Sequence, residues 1–291
     1  MDFEHEYDFL RSMTERRLSE YFTENVPQKT LLDAMRYSLL AGGKRVRPVL
    51  VLSFCRACGG DEKTALEPAC AIEMLHTYSL IHDDLPCFDD DTLRRGRPTN
   101  HVVYGEWTAV LAGDALLTAA FETLLKAELP EKSVIAAGRV LASAAGALGM
   151  CGGQYLDMDG EGKTLSAQEI EAIHAGKTAA LIEAAAEMGV IAAGGTEKQL
   201  AAAKSYASSV GLAFQLRDDL LDLSSTPEML GKSVGKDAAE EKSTFASVFG
   251  AEECERRIAE ETQKAKTALK GAFENTEFLK MLADKLAERK K

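Results

Sequence analysis

Helix-type spacing of apolar residues runs through almost the whole chain and restricts the fold more than any other feature. Apolar residues recur at three- and four-residue intervals among Ala, Leu, Glu and Lys, which favour helix. We predict helices near residues 5–24, 27–40, 46–58, 62–84, 107–127, 131–149, 167–192, 197–223, 252–271 and 276–288. Residues 49–52 would also suit a short buried strand, but their neighbours favour a buried helix. The predicted fold class is all-α.

Some of these segments are apolar nearly all round, which predicts burial between other helices; they are 107–127, 131–149 and 178–193. Glycine and proline fall at the ends of segments rather than in linkers, which favours one domain over residues 1–291. The length would also allow two smaller domains. Helix start signals of the capping-box type occur at residues 166–169 and 196–199.

The net charge, 34 − 46 = −12, argues against a nucleic-acid partner and against docking on anionic lipid. An anionic ligand must therefore meet local cations. No uninterrupted apolar run of about 18 residues occurs, so we expect no membrane anchor. The six cysteines form no regular framework and no secretory leader opens the chain, which favours the cytoplasm. Cys55 and Cys58 have redox or zinc spacing, but without a second pair they favour ordinary core thiols.

Two clusters of carboxylates lie directly next to apolar segments of the sequence. In the second cluster Asp218 and Asp222 are four residues apart, so on a helix they share one face. Repulsion and desolvation disfavour this arrangement unless a cation lies between the carboxylates. Mg²⁺ fits, because it takes oxygen ligands and is usually held by one or two carboxylates together with substrate phosphates. A solvated acidic face is the alternative for one such motif alone.

The first cluster occupies residues 81–91, IHDDLPCFDDD. Pro86 disfavours helix at the residue before it, which predicts a helix end near Asp84. Asp83 and Asp84 then lie at the negative end of the helix dipole, where a metal cation is favoured. We expect Asp89 on a turn that folds back to the same ion, with residues 90–91 in turn or supporting roles.

Cations occur in matching places. The GGKRVRP stretch at 42–48 indicates a glycine turn before a helix start, where free amides favour an anion, although a solvated basic turn is the alternative. Lys44 and Arg47 would reach that anion together. Arg94 and Arg95 can grip phosphate oxygens. His76 lies two helical turns before Asp83 on nearly the same face, although a core histidine is the alternative. These features indicate chemistry on an apolar molecule that carries phosphate, aided by Mg²⁺.

These motifs resemble those of the trans-isoprenyl diphosphate synthases, and most closely the bacterial-type members that make farnesyl diphosphate. The first aspartate motif carries the two-residue insertion, Pro86-Cys87, of bacterial-type members. The similar stretches cover nearly the whole chain: GGKRVRP (42–48), HTYSLIHDDLPCFDDDTLRRGRPTNH (76–101), GGQYLDMDGEG (152–162), HAGKT (174–178), GLAFQLRDDLLD (211–222) and LGKSVGKD (230–237).

The resemblance implies an isoprenoid-synthase fold, antiparallel helices around a deep apolar cavity, usually in a homodimer. It implies three Mg²⁺, for which Mn²⁺ can substitute, held by Asp83, Asp84, Asp89 and Asp218, with Asp219 and Asp222 as further candidates. The implied allylic diphosphate clamp is Arg94, Lys177, Lys232 and Lys242. The implied isopentenyl diphosphate site is Lys44, Arg47, His76 and Arg95. Thr178 and Gln215 would face the carbocation.

By the same resemblance, Tyr78 and Ser79 line the cavity and a bulky residue there stops elongation. Tyr78 precedes Asp83 by five residues, about 7.5 Å of helix. An ordinary core aromatic is the alternative. We predict a C15 product, with a C20 synthase as runner-up. A terpene cyclase of this fold usually lacks the second aspartate-rich motif, and a non-catalytic partner subunit commonly loses one motif, whereas both motifs are intact here.

Overall fold

The computed structural model describes residues 2–224 and 244–289, with the side chains of residues 222–224 excepted. Helix dominates these residues, so the predicted all-α class is confirmed. Short elements add a 3₁₀ turn (Glu62–Ala65), a π-helical turn (Ala175–Ala179) and an antiparallel hairpin of β1 (Leu93–Arg94) and β2 (Arg97–Pro98). The α-helices are α1 (Phe3–Ser19), α2 (Lys29–Leu39), α3 (Val46–Ala57), α4 (Leu66–Asp83), α5 (Asn100–Tyr104), α6 (Glu106–Leu125), α7 (Glu131–Ala145), α8 (Met150–Gly160), α9 (Ala167–His174), α10 (Ala180–Ala192), α11 (Glu197–Ser224), α12 (Phe245–Phe249), α13 (Ala251–Ala268) and α14 (Glu277–Ala287).

Local signals placed several helix ends correctly. The capping box before α9 is formed, because the Glu169 carboxylate accepts from the Ser166 amide at 2.8 Å and the Ser166 hydroxyl accepts from the Glu169 amide at 3.4 Å. Thr196 and Gln199 form the same reciprocal pair before α11. Helix α4 ends at Asp83, as Pro86 predicts. Residues 49–52 lie in buried α3, which confirms helix over strand.

The spacing pattern did not predict α5, α8, α12, the π-helical turn or the hairpin. Helix α8 contains glycines at 152 and 153 in its first turn, which weaken helix propensity, so it depends on packing against the π-helical turn and α9. The predicted helix over 131–149 ends earlier, at Ala145. The chain between Gly146 and Gly149 then turns into α8.

The largest core cluster joins helices from both ends of the chain. It includes Phe3 of α1 and Leu286 of α14, and α4 packs against α3, α6 and α10 at its centre. Most of α10 is buried, as its apolar sequence predicts. The same prediction was wrong for one face of α6, where Trp107 and Leu111 are exposed. That face has no cover within the part of the chain that the structure describes.

Two helical segments are long and apolar enough to cross a membrane by length and composition alone, Glu106–Leu125 and Glu131–Gly160. Half of the most apolar window of the first is buried, and 39% of that of the second. Their inner faces, including Leu116 and Leu141, lie in the core. Their apolar character therefore serves packing between helices at least in part.

Candidate active site

The first acidic motif forms a short loop at the end of α4. The Asp89 amide donates to the Asp83 carbonyl at 2.9 Å, so the loop folds back as the sequence predicts. Burial raises the pKa of Asp83, Lys177 acts to lower it, and Asp89 raises it again. A half-buried carboxylate beside another acid favours a cation close by.

The Asp84 carboxylate contacts Arg94, whereas Asp83 lies near Lys177. It is 3% exposed, and its Oδ1 accepts from Nε of Arg94 at 2.6 Å. Burial raises the pKa of Asp84 to about 6, although Arg94 acts to lower it. Asp91 lies 3.7 Å from the same guanidinium. Asp84 and Asp91 therefore orient Arg94, and the supporting role of Asp91 stays a prediction.

The hairpin carries Arg94 and Arg95 between the two halves of the site. Arg95 and Gly96 form its turn with φ of 54° and 72°, as a two-residue hairpin turn with positive φ at both positions requires. The Arg95 guanidinium donates to the Gly42 carbonyl. A Cβ at Gly43, whose φ is +117°, would lie 2.7 Å from that guanidinium carbon. The glycine turn thus leaves room for Arg95, which joins the hairpin to the start of α3.

Arg47, His76 and Arg95 form a partly buried basic group, and Lys44, which is exposed, lies three residues before Arg47. The pKa of Arg47 is lowered to about 10, mainly by burial and in part by Arg95, against the opposing effect of Glu73. Burial, Arg47 and Arg95 together lower the pKa of His76 well below its usual value, so its ring is neutral near pH 7. Nε of Arg47 is buried without a hydrogen-bond partner among the described residues. Such a concentration of positive charge suits an anionic ligand.

Arg45 anchors this basic group, a role that the sequence analysis missed. Its backbone takes the left-handed conformation, φ 54°, and its buried guanidinium donates to Glu73 at 2.6 Å and to the Leu39 carbonyl at 2.7 Å. The Tyr7 hydroxyl donates to the Lys44 carbonyl at 2.6 Å. These contacts fix the turn that presents Lys44.

Lys177 lies on the π-helical turn, opposite the first acidic motif. Its Nζ is 2.7 Å from Oδ2 of Asp157 on α8. Burial alone would lower the pKa of Lys177, but Asp83 and Asp157 outweigh burial and raise it. Lys177 therefore joins α8 to the end of α4. Asp157, within the GGQYLDMDGEG stretch, is a second candidate site residue that the sequence patterns did not indicate. The π-helical turn itself is informative, because such turns are frequent at functional sites.

A chain of hydrogen bonds runs from the π-helical turn through α11 to α12. The Thr178 hydroxyl donates to Oε1 of Gln215 at 2.9 Å, and Nε2 of Gln215 donates to Asp219 at 3.1 Å. The other Asp219 oxygen accepts from the Phe245 amide at 3.0 Å. Buried Asp219 therefore holds Gln215 and α12 in place.

Asp218, the neighbour of Asp219, faces outward from that chain. Its carboxylate forms an ion pair with Arg289 near the C-terminus, whose guanidinium lies over the Phe214 ring, 3.7 Å from its centroid. Arg289 also lowers the pKa of Lys44, after burial, so it borders the basic group as well. Its position 289 − 218 = 71 residues after Asp218 explains why local patterns did not indicate it.

The two chain-length candidates differ in placement. Tyr78 is 6% exposed, and its hydroxyl lies 3.3 Å from Sγ of Cys151 on α8. The Ser79 hydroxyl donates to the His76 carbonyl of its own helix at 2.8 Å. Other sequence-based predictions lie outside the described residues or side chains: Lys232, Lys242 and Asp222.

Within the described side chains, no three carboxylate, imidazole or thiol groups lie close enough together to form a complete metal site. Mg²⁺ does not require one, since it keeps several waters and shares substrate phosphates. The oxygen-only donor set, with half-buried Asp83 beside Asp89, fits a hard divalent cation. Cys55 and Cys58 are free thiols, which agrees with the expectation of core cysteines.

Comparisons with known proteins agree with this geometry. Residues 28–285 match the family model described as polyprenyl synthetase. The farnesyl diphosphate synthase of Bacillus subtilis (strain 168) is 43% identical over 278 residues, 94% of each chain. The chloroplastic geranylgeranyl pyrophosphate synthase 9 of Arabidopsis thaliana is 50% identical over 242 residues, 81% of this chain and 67% of that protein.

Solved structures show the same likeness in three dimensions. A Helicobacter pylori geranyltransferase, solved with magnesium and isoprenyl diphosphate, superposes with a TM-score of 0.85 at 33% identity and covers 97% of this chain and 96% of that one. The all-α architecture is thus the isoprenoid-synthase fold. The chain belongs to the polyprenyl synthetase family and is a prenyltransferase, a trans-prenyl diphosphate synthase.

Proposed function

We propose that this protein catalyses the Mg²⁺-dependent head-to-tail condensation of isopentenyl diphosphate with C5 and C10 allylic diphosphates. The products are (E,E)-farnesyl diphosphate and pyrophosphate. The observation that carries this proposal is the presence of two cationic groups, joined by the hairpin. The group around Lys177 is bordered by Asp83 and Asp157, whereas the group around Arg47 contains an unpartnered buried guanidinium nitrogen. One group suits a metal-bound diphosphate and the other a diphosphate bound by cations alone.

We assign isopentenyl diphosphate to the group of Lys44, Arg47, His76 and Arg95. The allylic diphosphate is assigned to Arg94, Lys177, Lys232 and Lys242. Three Mg²⁺, replaceable by Mn²⁺, would be held by Asp83, Asp89 and Asp218, with Asp222 as a further candidate. Asp84 and Asp219, first considered as ligands, are better suited to orienting Arg94 and Gln215, because their oxygens already accept hydrogen bonds from the protein.

The arrangement supports ionisation of the allylic C–O bond. Arg94 and Lys177 stabilise the charge that develops on the leaving diphosphate, and bound Mg²⁺ would add electrostatic stabilisation of the same kind. The isopentenyl double bond attacks the carbocation, and the proton that is then lost passes to pyrophosphate. Since the Thr178 hydroxyl donates to Gln215, its lone pairs remain available to face the cation.

We propose C15 as the product length because Tyr78 presents a buried aromatic ring five residues before Asp83. The C20 product is the second candidate, since several relatives are geranylgeranyl pyrophosphate synthases. Incubation with isopentenyl diphosphate and C5, C10 or C15 allylic diphosphates, followed by separation of the products, tests the assignment. Tyr78→Ala should lengthen the product. Mainly C20 from the wild type, or unchanged products from Tyr78→Ala, would contradict the role of Tyr78.

We further propose that the protein acts in the cytoplasm as a homodimer of single-domain subunits, without a nucleic-acid partner or a stable membrane anchor. The exposed apolar stripe of α6 that begins at Trp107 supports the dimer. The core cluster shared by Phe3 and Leu286 supports the single domain. The net charge of −12 supports the lack of a nucleic-acid partner.

A further inference from the structure

Within the described residues, the Tyr78 hydroxyl has one polar contact, with Sγ of Cys151 at 3.3 Å. Tyr78 belongs to α4 and Cys151 to α8, so their contact bridges two walls of the site. The Tyr78 ring is nearly buried, whereas Cys151 is exposed. The pair therefore lies at the boundary between the protein interior, on the side of Tyr78, and an accessible space beside α8, on the side of Cys151.

The contact lies at similar depth on both walls. Tyr78 precedes Asp83 by five residues and Cys151 precedes Asp157 by six, which correspond to about 7.5 Å and about 9 Å of helix. Asp83 and Asp157 both act on Lys177, so these two helices converge at their acidic ends. Below the diphosphate region, they meet again at Tyr78 and Cys151.

Packing against neighbouring elements holds both α4 and α8 in place at this contact. The Tyr78 ring packs against the His82 ring at 5.6 Å, and Nε2 of His82 lies 3.0 Å from the Val110 carbonyl of α6. On the other wall, a Cβ at Gly153 would lie 2.0 Å from the Lys177 amide nitrogen, so α8 is in close backbone contact with the π-helical turn. Cys151 is carried by that tightly docked helix.

Behind Cys151 lies a largely apolar groove of about 1200 Å³ between α7, α8 and α10. Cys151 itself borders the groove, together with Ala144, Leu148 and Ala184. An apolar chain that passed Cys151 would therefore find further apolar surface.

We propose that Cys151 is a specificity-determining residue that, with Tyr78, closes the elongation site, and that the groove behind it is the space into which a longer prenyl chain would extend. This inference rests on the proposed function. Side-chain size at position 151 then sets where growth stops, and the thiol itself takes no part in the chemistry.

The test compares product lengths of Cys151→Ala, Cys151→Ser and Cys151→Phe with the wild type, using isopentenyl diphosphate with C5, C10 or C15 allylic diphosphates as starters. We expect Cys151→Ala to use the C15 diphosphate as a starter about tenfold faster, since one missing group in an apolar site is worth about that factor. Cys151→Phe should accumulate C10, assayed from the C5 starter, and Cys151→Ser should resemble the wild type. Asp159→Ala, at an exposed position of the same helix that does not border the groove, is the matched control.

Product ratios are independent of the amount of folded enzyme, so partial destabilisation does not obscure the result. Wild-type product ratios in both Cys151→Ala and Cys151→Phe would overturn the role of Cys151 while leaving the prenyltransferase assignment intact. An equal shift in Asp159→Ala would overturn it too, because the effect would then belong to α8 as a whole. Absence of condensation by the wild type would instead refute the proposed function.

Discussion

Lys44 and Arg289 lie close enough for the charge of one to disfavour that of the other. Burial, followed by Arg289, lowers the pKa of Lys44 to about 8. Lys44 is thus poised to lose its charge only slightly above neutral pH. A bound diphosphate would favour the charged form, so substrate binding and protonation of Lys44 are coupled.

This coupling predicts a pH dependence. Lys44 is positive below its pKa and neutral above it, so kcat/KM for isopentenyl diphosphate should fall as pH rises through about 8. Arg289→Ala removes a neighbouring positive charge and should move that fall to higher pH. Steady-state rates from pH 6.5 to 9.5 would show both effects. Identical profiles in wild type and Arg289→Ala would contradict the coupling, and Arg256→Ala on the exposed face of α13 is the control.

The sequence indicates a cation near the two aspartate motifs, because carboxylates on apolar helices require one. It does not indicate which carboxylate of each adjacent pair faces that cation and which contacts the protein. Asp83 and Asp84 are adjacent in sequence, yet Asp84 alone pairs with Arg94. Likewise Asp219 turns inward to Phe245, whereas Asp218 meets Arg289. Adjacent residues on a helix point about 100° apart, and only the packing decides which of them faces the site.

At the scale of elements, the short turn between α2 and α3 depends on a buried ion pair. Arg45 and Glu73 are almost fully buried and 2.6 Å apart. Removing one partner of a buried pair leaves the other charge buried and uncompensated. The resulting loss in the free energy of unfolding exceeds the net stabilisation that the intact pair provides.

We therefore expect Glu73→Ala to lower the free energy of unfolding by about 3 kcal/mol, measured by urea denaturation. The exposed pair of Glu122 and Lys126 provides a control, and Glu122→Ala should change stability by less than about 1 kcal/mol. Equal effects of the two substitutions would show that the Arg45 and Glu73 pair does not anchor the turn.

Helices with regular apolar spacing were predictable as elements, whereas α8 and the π-helical turn were not. Helix α8 contains Gly152 and Gly153, which weaken helix formation in isolation. Their benefit appears only in the folded protein, where Gly153 lies against the backbone of Lys177. Close backbone contacts between distant segments leave no periodic signal in the sequence.

At the scale of the whole molecule, α5 and α6 present apolar side chains at the surface. Trp107 is 74% exposed, and Val110, Leu111, Val102 and Val103 lie nearby in sequence with large exposed fractions. Residues 107, 110 and 111 recur at helical spacing along one stripe. An apolar stripe of this kind suits the face of a second subunit.

We expect Leu111→Glu to convert the proposed dimer into monomers, because a charge would be buried in an apolar interface. Sedimentation equilibrium of the two proteins at matched concentrations measures the change in mass. Ala251→Glu, at the exposed start of α13, is the control and should remain dimeric. A monomeric wild type, or a dimeric Leu111→Glu variant, would contradict an interface on α6.

We propose that Asp83 and Asp218, from α4 and α11, complete one metal-dependent prenyl-transfer site. The most direct measurement is the rate of Mg²⁺-dependent condensation of isopentenyl and geranyl diphosphates by wild type, Asp83→Ala and Asp218→Ala, each checked for folding by circular dichroism. We predict a C15 product from the wild type and losses of at least about 10²-fold in each folded variant. No Mg²⁺-dependent product from the wild type, or a near-normal rate in either variant, would contradict the account.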